Sequence, residues 1–560
     1  MRKSNTKEKA PLYLTLLPIP AILLLLVLFI LPLFSTLARA FFIDGKFSLE
    51  TIQKAFTSSY TQKILWFTTY QALLSTLLSL AIGLPGAYML SNYDIKAKKF
   101  ILAVCTIPFV LPSILVVLGF VIFYGNSGFL NTLLMKIFSL EDPPLKILYS
   151  FKAIILAHAF FNFPIILNLV TTYYDNLDQR LEMSSLVNGA TKGQTFRYIT
   201  MPRLLPSILS SSLLVFLFCF TSFAIILVLG GGPQYTTMEV EIYRRARITL
   251  DLGGASAYAL VSIGMCLIIL FLYNLTTRKM ILNEYNGSSI EKEKKPVSTI
   301  GKIIAYSYIV LVAIFILAPM ISIIAKSFLA KSSQGNGIQF TLRWYKELFG
   351  FKSATGLMVG AFPAIRNSLI IALIVALLSV PLSIMVAIGA KRQNSLSSSL
   401  IELLGMLPLA ISSVIIGLGY YLIAAKIKGT GFTFVVLAHL IIALPLVLRS
   451  VTPELRKLPQ SLSQSAQTLG ASPFKAFKTV EIPLLKNALI SGAIFAFAMS
   501  MGEINATITL ASSHLVTLPI VMYRLIGSYN YNGACALGTI LIMVCGVVFI
   551  VSEHTKRIDV

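Results

Sequence analysis

The chain contains no GxxxxGK[ST] stretch, so it has no phosphate-cradling loop of that kind and cannot hydrolyse ATP by that route. Ser-His-Asp arrangements, metal-ligand clusters and nucleotide fingerprints are missing as well; no catalytic residue, bound cofactor or bound metal is expected. Charge is scarce, at 12% of 560 residues, and hydrophobic residues make up 56%. A soluble globule, with an apolar share nearer ~45–50%, is excluded. Acidic residues are the scarcer sign, 22 against 46 Lys and Arg, for a net charge of +24. That excess does not indicate nucleic acid. The cations lie in short clusters between apolar runs, with no basic face and no aromatic-basic module. Beside membrane spans, such clusters set orientation instead. Cysteine is limited to Cys105, Cys219, Cys266, Cys535 and Cys545, all in or beside apolar runs and none in a CxxC pair. They read as small buried hydrophobes.

What is present is a series of long apolar runs. The first, from about Leu14 to Leu37, follows the basic start MRKSNTKEKA. Ala38-Arg39-Ala40 imitates a signal-peptidase site, but the run can span a bilayer at ~1.5 Å per residue and exceeds a signal h-region, so a retained helix is expected. Further runs fall at roughly 64–90, 100–124, 151–173, 206–229, 256–277, 303–325, 364–390, 400–424, 432–450, 488–510 and 533–552. Each has about the ~20 residues a span requires. Gly83-Leu84-Pro85, Pro108, Pro112, Pro381 and Pro408 predict kinked, closely packed helices. The fold class is all-α, a polytopic membrane protein of about twelve transmembrane helices in two six-helix halves.

The halves are an internal duplication. NGATKGQTFRYITMP, ending at Pro202, repeats as LGASPFKAFKTVEIP, ending at Pro483. Gly189 pairs with Gly470, Ala190 with Ala471, Phe196 with Phe477 and Pro202 with Pro483, each 281 residues apart. LAHAFFNFP (156–164) aligns with LAHLIIALP (437–445), matching His158 to His439, and IPFVLPSILVVLGF (107–120) aligns with LPLAISSVIIGLGY (407–420) at an offset of 300. The first half therefore covers 1–277, with its core at about 64–277. A polar linker, 278–302, leads to the second half, 303–560, with its core at about 364–552. Each repeated loop predicts a short helix, a Gly where the backbone turns or another chain comes close, and a second short helix. The Phe can bury itself against the bundle, and the Pro suits the first turn of the next long helix.

These two loops resemble the cytoplasmic coupling loop of type I ABC importer permeases, summarised as EAA, three residues, Gly, then a hydrophobic residue and Pro. The Gly-to-Pro part matches in both copies. The EAA part does not: Met183-Ser184-Ser185 and Gln464-Ser465-Ala466 stand there, and Glu182 lies one place early. The resemblance implies a permease subunit without its own ATPase, two separate ABC ATPase subunits carrying ATP and docking on the loops, and an extracytoplasmic substrate-binding protein. The expected location is a bacterial inner membrane, with both termini, both loops, 92–99, Lys391-Arg392 and the basic run 292–295 inside. The expected partners are thus ATPase, binding protein and lipid bilayer, with no nucleic acid.

Glu503 lies in MSMGEINATITL, deep in an apolar run, where an ionised group is functional by default. Its counterpart is Ser222, and Asn505 corresponds to Ala224. Glu503, Asn505 and Ser222 are the candidate residues of a translocation path, and Gly502 is expected to loosen the helix if both polar side chains contribute. The alternative is a carboxylate snorkelling at the helix end. His158 and His439 read as packing histidines donating to carbonyls, or as a metal or proton-relay pair. The segments 230–246 and 517–530 each hold a Tyr-Arg pair, Tyr243-Arg244 and Tyr523-Arg524, and read as reentrant or interfacial helices at the outer mouth.

The chain as a whole resembles fused permeases of the ferric-iron and thiamine branch, through LFCFTSFAIILVLGGGPQYTTMEVEIY, LAHAFFNFP and IGSYNYNGACALGTILI. Met-Gly-Glu-Ile-Asn is more similar to the ferric side, and YGNSGFLN with LAHAFFNFP to the thiamine side. Ferric iron is the leading expectation, thiamine or its phosphate the alternative, and polyamines or another small solute third. A secondary transporter is the competing class; it would use midplane carboxylates and need no ATPase loop. The topology predicts that a cysteine placed at Thr191 stays unlabelled by an impermeant thiol reagent in intact cells, whereas cysteines placed in 125–150 or 326–363 react. Labelling at Thr191 would overturn it.

Overall fold

The computed structural model describes residues 18–43, 46–230, 232–284, 298–331, 338–350, 360–391, 396–427, 431–510 and 515–557. Residues 14–17 of the first run, most of the linker with its basic run 292–295, parts of 326–363 and Arg392 lie outside the described residues. Helix dominates, because a long apolar segment in hydrocarbon must satisfy its backbone internally. Among the described residues, strands form two hairpins. Phe42–Ile43 pairs with Lys46–Phe47, and Leu329–Lys331 with Ile338–Phe340. Each hairpin follows the first span of its sequence half and leads into a short helix, Glu50–Thr57 or Arg343–Phe349. Stacked rings close both, Phe41 on Phe47 and Phe328 on Phe340. The duplication thus extends into segments too short and too polar for a periodic pattern to show.

Among the described residues, ten helices are long and apolar enough to cross a membrane, and two sharply bent pairs, each counted as one span, raise the number to twelve. Here the structure corrects the expectation of kinked single spans. Leu400–Ala410 meets Ser413–Lys426 at 98°, and Pro473–Leu484 meets Lys486–Gly502 at 70°. In the first half, Lys98–Val110 stops before Ser113–Tyr124 because Pro112 forces Leu111 into extended backbone. The second half makes the same stop with Ser412, whose Oγ accepts from Val414 N at 3.2 Å as a helix cap. Pro85 and Pro381 instead sit inside unbroken helices, Ser59–Asn92 and Ala361–Lys391. The runs 206–229 and 488–510 are also broken. Met201–Phe220 gives way to Ala224–Leu229, and Lys486–Gly502 to Asn505–Leu510.

The chain divides into two compact units, 39–355 with 522–539, and 1–38 with 356–521 and 540–560. In the former, Ser59–Asn92, Phe151–Asp175, Met201–Phe220 and Leu252–Glu284 form the core. Thr299–Ser327, the first span of the second half, packs on Ser113–Tyr124. In the latter, Ala361–Lys391, Gly431–Lys457 and Lys486–Gly502 form the core, and the first span of the first half packs on it. The sequence halves are therefore units of duplication, and packing cuts across them. The two exchanges use matching glycines. A side chain at Gly119 would meet Met320 and Pro319 at 3.0 Å, and one at Gly419 would overlap the Pro32 carbonyl. Tyr420 adds a hydrogen bond from its hydroxyl to Leu28 O at 2.5 Å. Gly419→Val should thus push the first span away and cost about 1–3 kcal/mol of overpacking. The checking measurement is the thermal midpoint of purified protein, which should fall by several degrees; an unchanged midpoint would show that the contact tolerates a side chain.

Candidate functional site

Both repeated loops are built the same way. Arg180–Val187 ends at Gly189, with φ +86°, and Gln460–Thr468 ends at Gly470, with φ +89°. The amide of the next residue returns to the helix in each: Ala190 N donates to Ser185 O, and Ala471 N to Ala466 O, both at 3.0 Å. This left-handed closure is what glycine permits. No atom lies within 4 Å of where either glycine would carry a Cβ, so the residue serves the turn and the surface outside it is open. A second helix then starts at a hydroxyl cap. Thr191 and Gln194 form a reciprocal capping box, and Ser472 accepts from Lys475 N.

The remaining loop residues differ between copies. Phe477 is buried, whereas Phe196 is more than a third exposed and meets Tyr88 edge-on at 5.4 Å. Pro202 continues into the long helix without interruption, but after Pro483 the chain turns at Leu485 before the span begins. Large apolar side chains stand in the open on both loops, with Val187 at 87% and Leu469 at 89% exposure.

Glu503 occupies the break between Lys486–Gly502 and Asn505–Leu510, as an extended residue just after Gly502. It is 4% exposed, so it does not snorkel. Its Oε1 accepts from Ala506 N at 2.9 Å and caps the second helix, and Ser413 is a further hydrogen-bond partner. Thr507 Oγ1 donates to Glu503 O at 2.9 Å and lies 2.7 Å from His439 Nε2; His439 Nδ1 lies 2.9 Å from Ser500 Oγ. The break therefore carries a chain of polar contacts through buried groups. Asn505 Oδ1, beside it, is buried with no hydrogen-bond partner among the described residues. The matching break in the first half holds Ser222, half-buried, and apolar Ala224. Its histidine, His158, meets Ser75 Oγ at 3.1 Å. Both histidines thus bond hydroxyls where carbonyls were expected.

The helices Met238–Arg247 and Leu518–Gly527, expected at the outer mouth, are each held at their first residue by a hydroxyl from a long helix. Met238 N donates to Thr68 Oγ1 at 3.1 Å, and Leu518 N to Ser368 Oγ at 2.9 Å. Sequence reasoning missed this pair, although Thr68 and Ser368 share the 300-residue offset of the LGF/LGY repeat. Glu239 and Glu241 are fully buried, the opposite of a helix lying with its charged face in the headgroups. Glu241 accepts from Arg244 Nε and Arg245 Nε at 2.9 Å, and from the Tyr60 hydroxyl at 3.2 Å. Its hydrogen bond holds the Arg244 guanidinium above its ordinary pKa. Ser262 Oγ donates to Glu239 at 2.8 Å. The counterparts Pro519 and Val521 carry no charge.

Residues 79–282 and 379–553 match the family described as "Binding-protein-dependent transport system inner membrane component". The chain belongs to this family. This permease is 28% identical over 511 residues to the thiamine transport system permease protein ThiP of Haemophilus influenzae, covering 90% of each chain. To ThiP of Escherichia coli it is 27% identical over 510 residues, covering 88% of this chain and 89% of that one. To the ferric transport system permease protein FbpB of Actinobacillus pleuropneumoniae it is 26% identical over 537 residues, covering 94% of this chain and 76% of that one. A chain of a bacterial ABC transporter involved in the import of the acidic polysaccharide alginate gives a TM-score of 0.40 at 20% identity, over 48% of this chain and 95% of that chain, and no argument rests on it. These relatives favour the thiamine alternative over the iron expectation carried by Met-Gly-Glu-Ile-Asn, since the thiamine permeases match over about nine-tenths of both chains.

The loop geometry has a direct consequence. Gly470→Val puts a β-branched residue at positive φ, at a local cost of about 1–2 kcal/mol. Hydrogen exchange of the Ala471 amide should then quicken roughly tenfold, with the thermal midpoint of the bundle unchanged. Gly189→Val should do the same at Ala190. Parental exchange at Ala471 would show that the turn does not depend on glycine.

Proposed function

We propose that this permease is the membrane subunit of an ATP-driven, binding-protein-dependent thiamine importer. The observation that carries the ATP-driven part is the pair of matching knobs. Each is a positive-φ glycine turn with open surface outside it and large exposed apolar side chains, the shape a separate ATPase subunit can grip. Two ATPase subunits dock on these loops through Gly189, Ala190, Phe196 and Pro202, and through Gly470, Ala471, Phe477 and Pro483. ATP stays on those subunits. A binding protein delivers substrate at the opposite face, near the outer helices 238–247 and 518–527, and both termini are cytoplasmic. The sequence halves 1–277 and 303–560, joined by 278–302, supply one loop each. Thiamine is supported by relatives that match it over about nine-tenths of both chains. Ferric iron is the second reading, favoured by a relative that matches 94% of this chain.

Glu503, Asn505 and Ser222 line the path in this proposal. Thiamine carries a fixed positive charge on its thiazolium ring. A single carboxylate in an apolar conduit lowers the electrostatic cost of a cation without holding it tightly. Glu503→Gln is a clean test, because the amide oxygen can still accept from Ala506 N while the charge is gone. In proteoliposomes with its ATPase and binding protein, the parental permease should take up labelled thiamine only with ATP. Glu503→Gln should lower that uptake roughly tenfold, leaving binding-protein-stimulated ATP hydrolysis largely intact. Uptake of ferric iron but not thiamine by the parent would move the assignment to the second reading, and parental uptake by Glu503→Gln would remove this residue from the path.

A further inference from the structure

The two loops hold the same contact with its chemical ends exchanged. In the first, Thr200 Oγ1 donates to Glu182 Oε1 at 2.7 Å. In the second, Ser463 Oγ donates to Glu481 Oε1 at 2.6 Å. Glu182 corresponds to Ser463 and Thr200 to Glu481, each 281 residues apart. The carboxylate therefore stands on the short helix in one copy and at the foot of the following span in the other, and a hydroxyl meets it in both. A second rung repeats the logic. Ser185 Oγ lies 2.8 Å from Thr195 Oγ1, and the matching pair is Ala466 and Ala476, hydroxyl against hydroxyl replaced by methyl against methyl. Asp175, paired with Lys98, corresponds in position to Arg456, which pairs with Glu402 instead.

We infer that the loop carboxylate of this permease is an internal positioning residue: Glu182–Thr200 and Ser463–Glu481 are one clasp, which fixes each docking helix to the foot of the next span. The glycine turn joins helix and span at one end. The clasp joins them at the other, at the first turn of Arg180–Val187 and near the start of Gln460–Thr468. Two attachments make a rigid lever, where a single turn would leave a hinge. In the second copy the clasp reaches further, since Lys391 Nζ lies 3.6 Å from Glu481 Oε2 and ties the loop to the end of Ala361–Lys391. With its carboxylate engaged within the chain, the short helix of the first loop offers exposed Leu181, Met183, Leu186 and Val187 outward, so its docking contact is apolar.

This inference rests on the proposal that the loops dock the ATPase, and the test separates the two. The complex of permease, ATPase and binding protein is reconstituted with the first loop altered. Glu182→Ser should retain the ATPase on purification but lose roughly tenfold in uptake per ATP hydrolysed, the scale of a charged hydrogen bond. Adding Thr200→Glu, which rewrites the first clasp in the pattern of the second, should restore most of that coupling. Glu182→Gln, which still accepts from Thr200, should stay near the parent. If the double variant is no better than Glu182→Ser, or Glu182→Gln is as poor, the clasp is overturned. Loss of the ATPase from Glu182→Ser that Thr200→Glu does not repair would assign Glu182 a direct contact with the partner, also overturning it. Val187→Asp with Leu469→Asp tests the docking reading alone: full retention of the ATPase there would remove docking, whatever the clasp variants do.

Discussion

Inside hydrocarbon a backbone N–H or C=O has no water to turn to, so every interruption of a spanning helix must be closed by another group of the protein. Much of this permease follows from that constraint. Its broken runs, near 111, 221, 411 and 503, are the places where polar side chains gather. Ser412 caps one helix and Glu503 another. Gln71, fully buried, donates to Cys219 O at 2.9 Å, at the end of Met201–Phe220. Thr68 and Ser368 do the same service for the first amides of Met238–Arg247 and Leu518–Gly527. A polar residue in a span here is first a means of ending or starting a helix. Glu503 is such a closure, one carboxylate oxygen accepting from Ala506 N.

Duplication preserved the geometry of these closures more than their chemistry. Pro112 and Ser412 stop a helix at equivalent positions by opposite means, one by removing an N–H and one by supplying an acceptor. A serine–threonine pair is matched by two alanines, and a glutamate–threonine contact by a serine–glutamate one with its ends exchanged. A contact tolerates exchange of its ends because its energy depends on the pair, not on which helix holds which partner. Where no side chain fits, the residue itself is kept: Gly119 and Gly419 each admit the first span of the opposite half.

The family's role sits naturally on this frame. Two knobs present open turns, and the helices Met238–Arg247 and Leu518–Gly527 are each held at their first residue to a long helix, 59–92 or 361–391. Among the described residues the buried carboxylates are few, Glu503 in one unit and Glu239 and Glu241 in the other.

By itself the sequence determined the membrane class, the number of spans to within the broken pairs, the duplication and the two loops down to the glycine. These follow from hydropathy and from residue identity at fixed offsets, which act locally along the chain. It carried the substrate only through resemblance, with iron ahead of thiamine, whereas the relatives at the higher identities are thiamine permeases. The right-angle breaks were legible as prolines but not as breaks, because a proline in a span kinks or stops a helix according to what can satisfy the freed backbone. Only the tertiary structure decided that Glu503 caps a helix, that Thr68 and Ser368 hold the first amides of Met238–Arg247 and Leu518–Gly527, that the first spans are exchanged between halves and that Glu182 and Glu481 accept equivalent hydroxyl hydrogen bonds. Apart from the Glu503 cap, which is local, each of those depends on groups separated in sequence meeting in space, and no pattern read along a single strand of residues records which partner will be there.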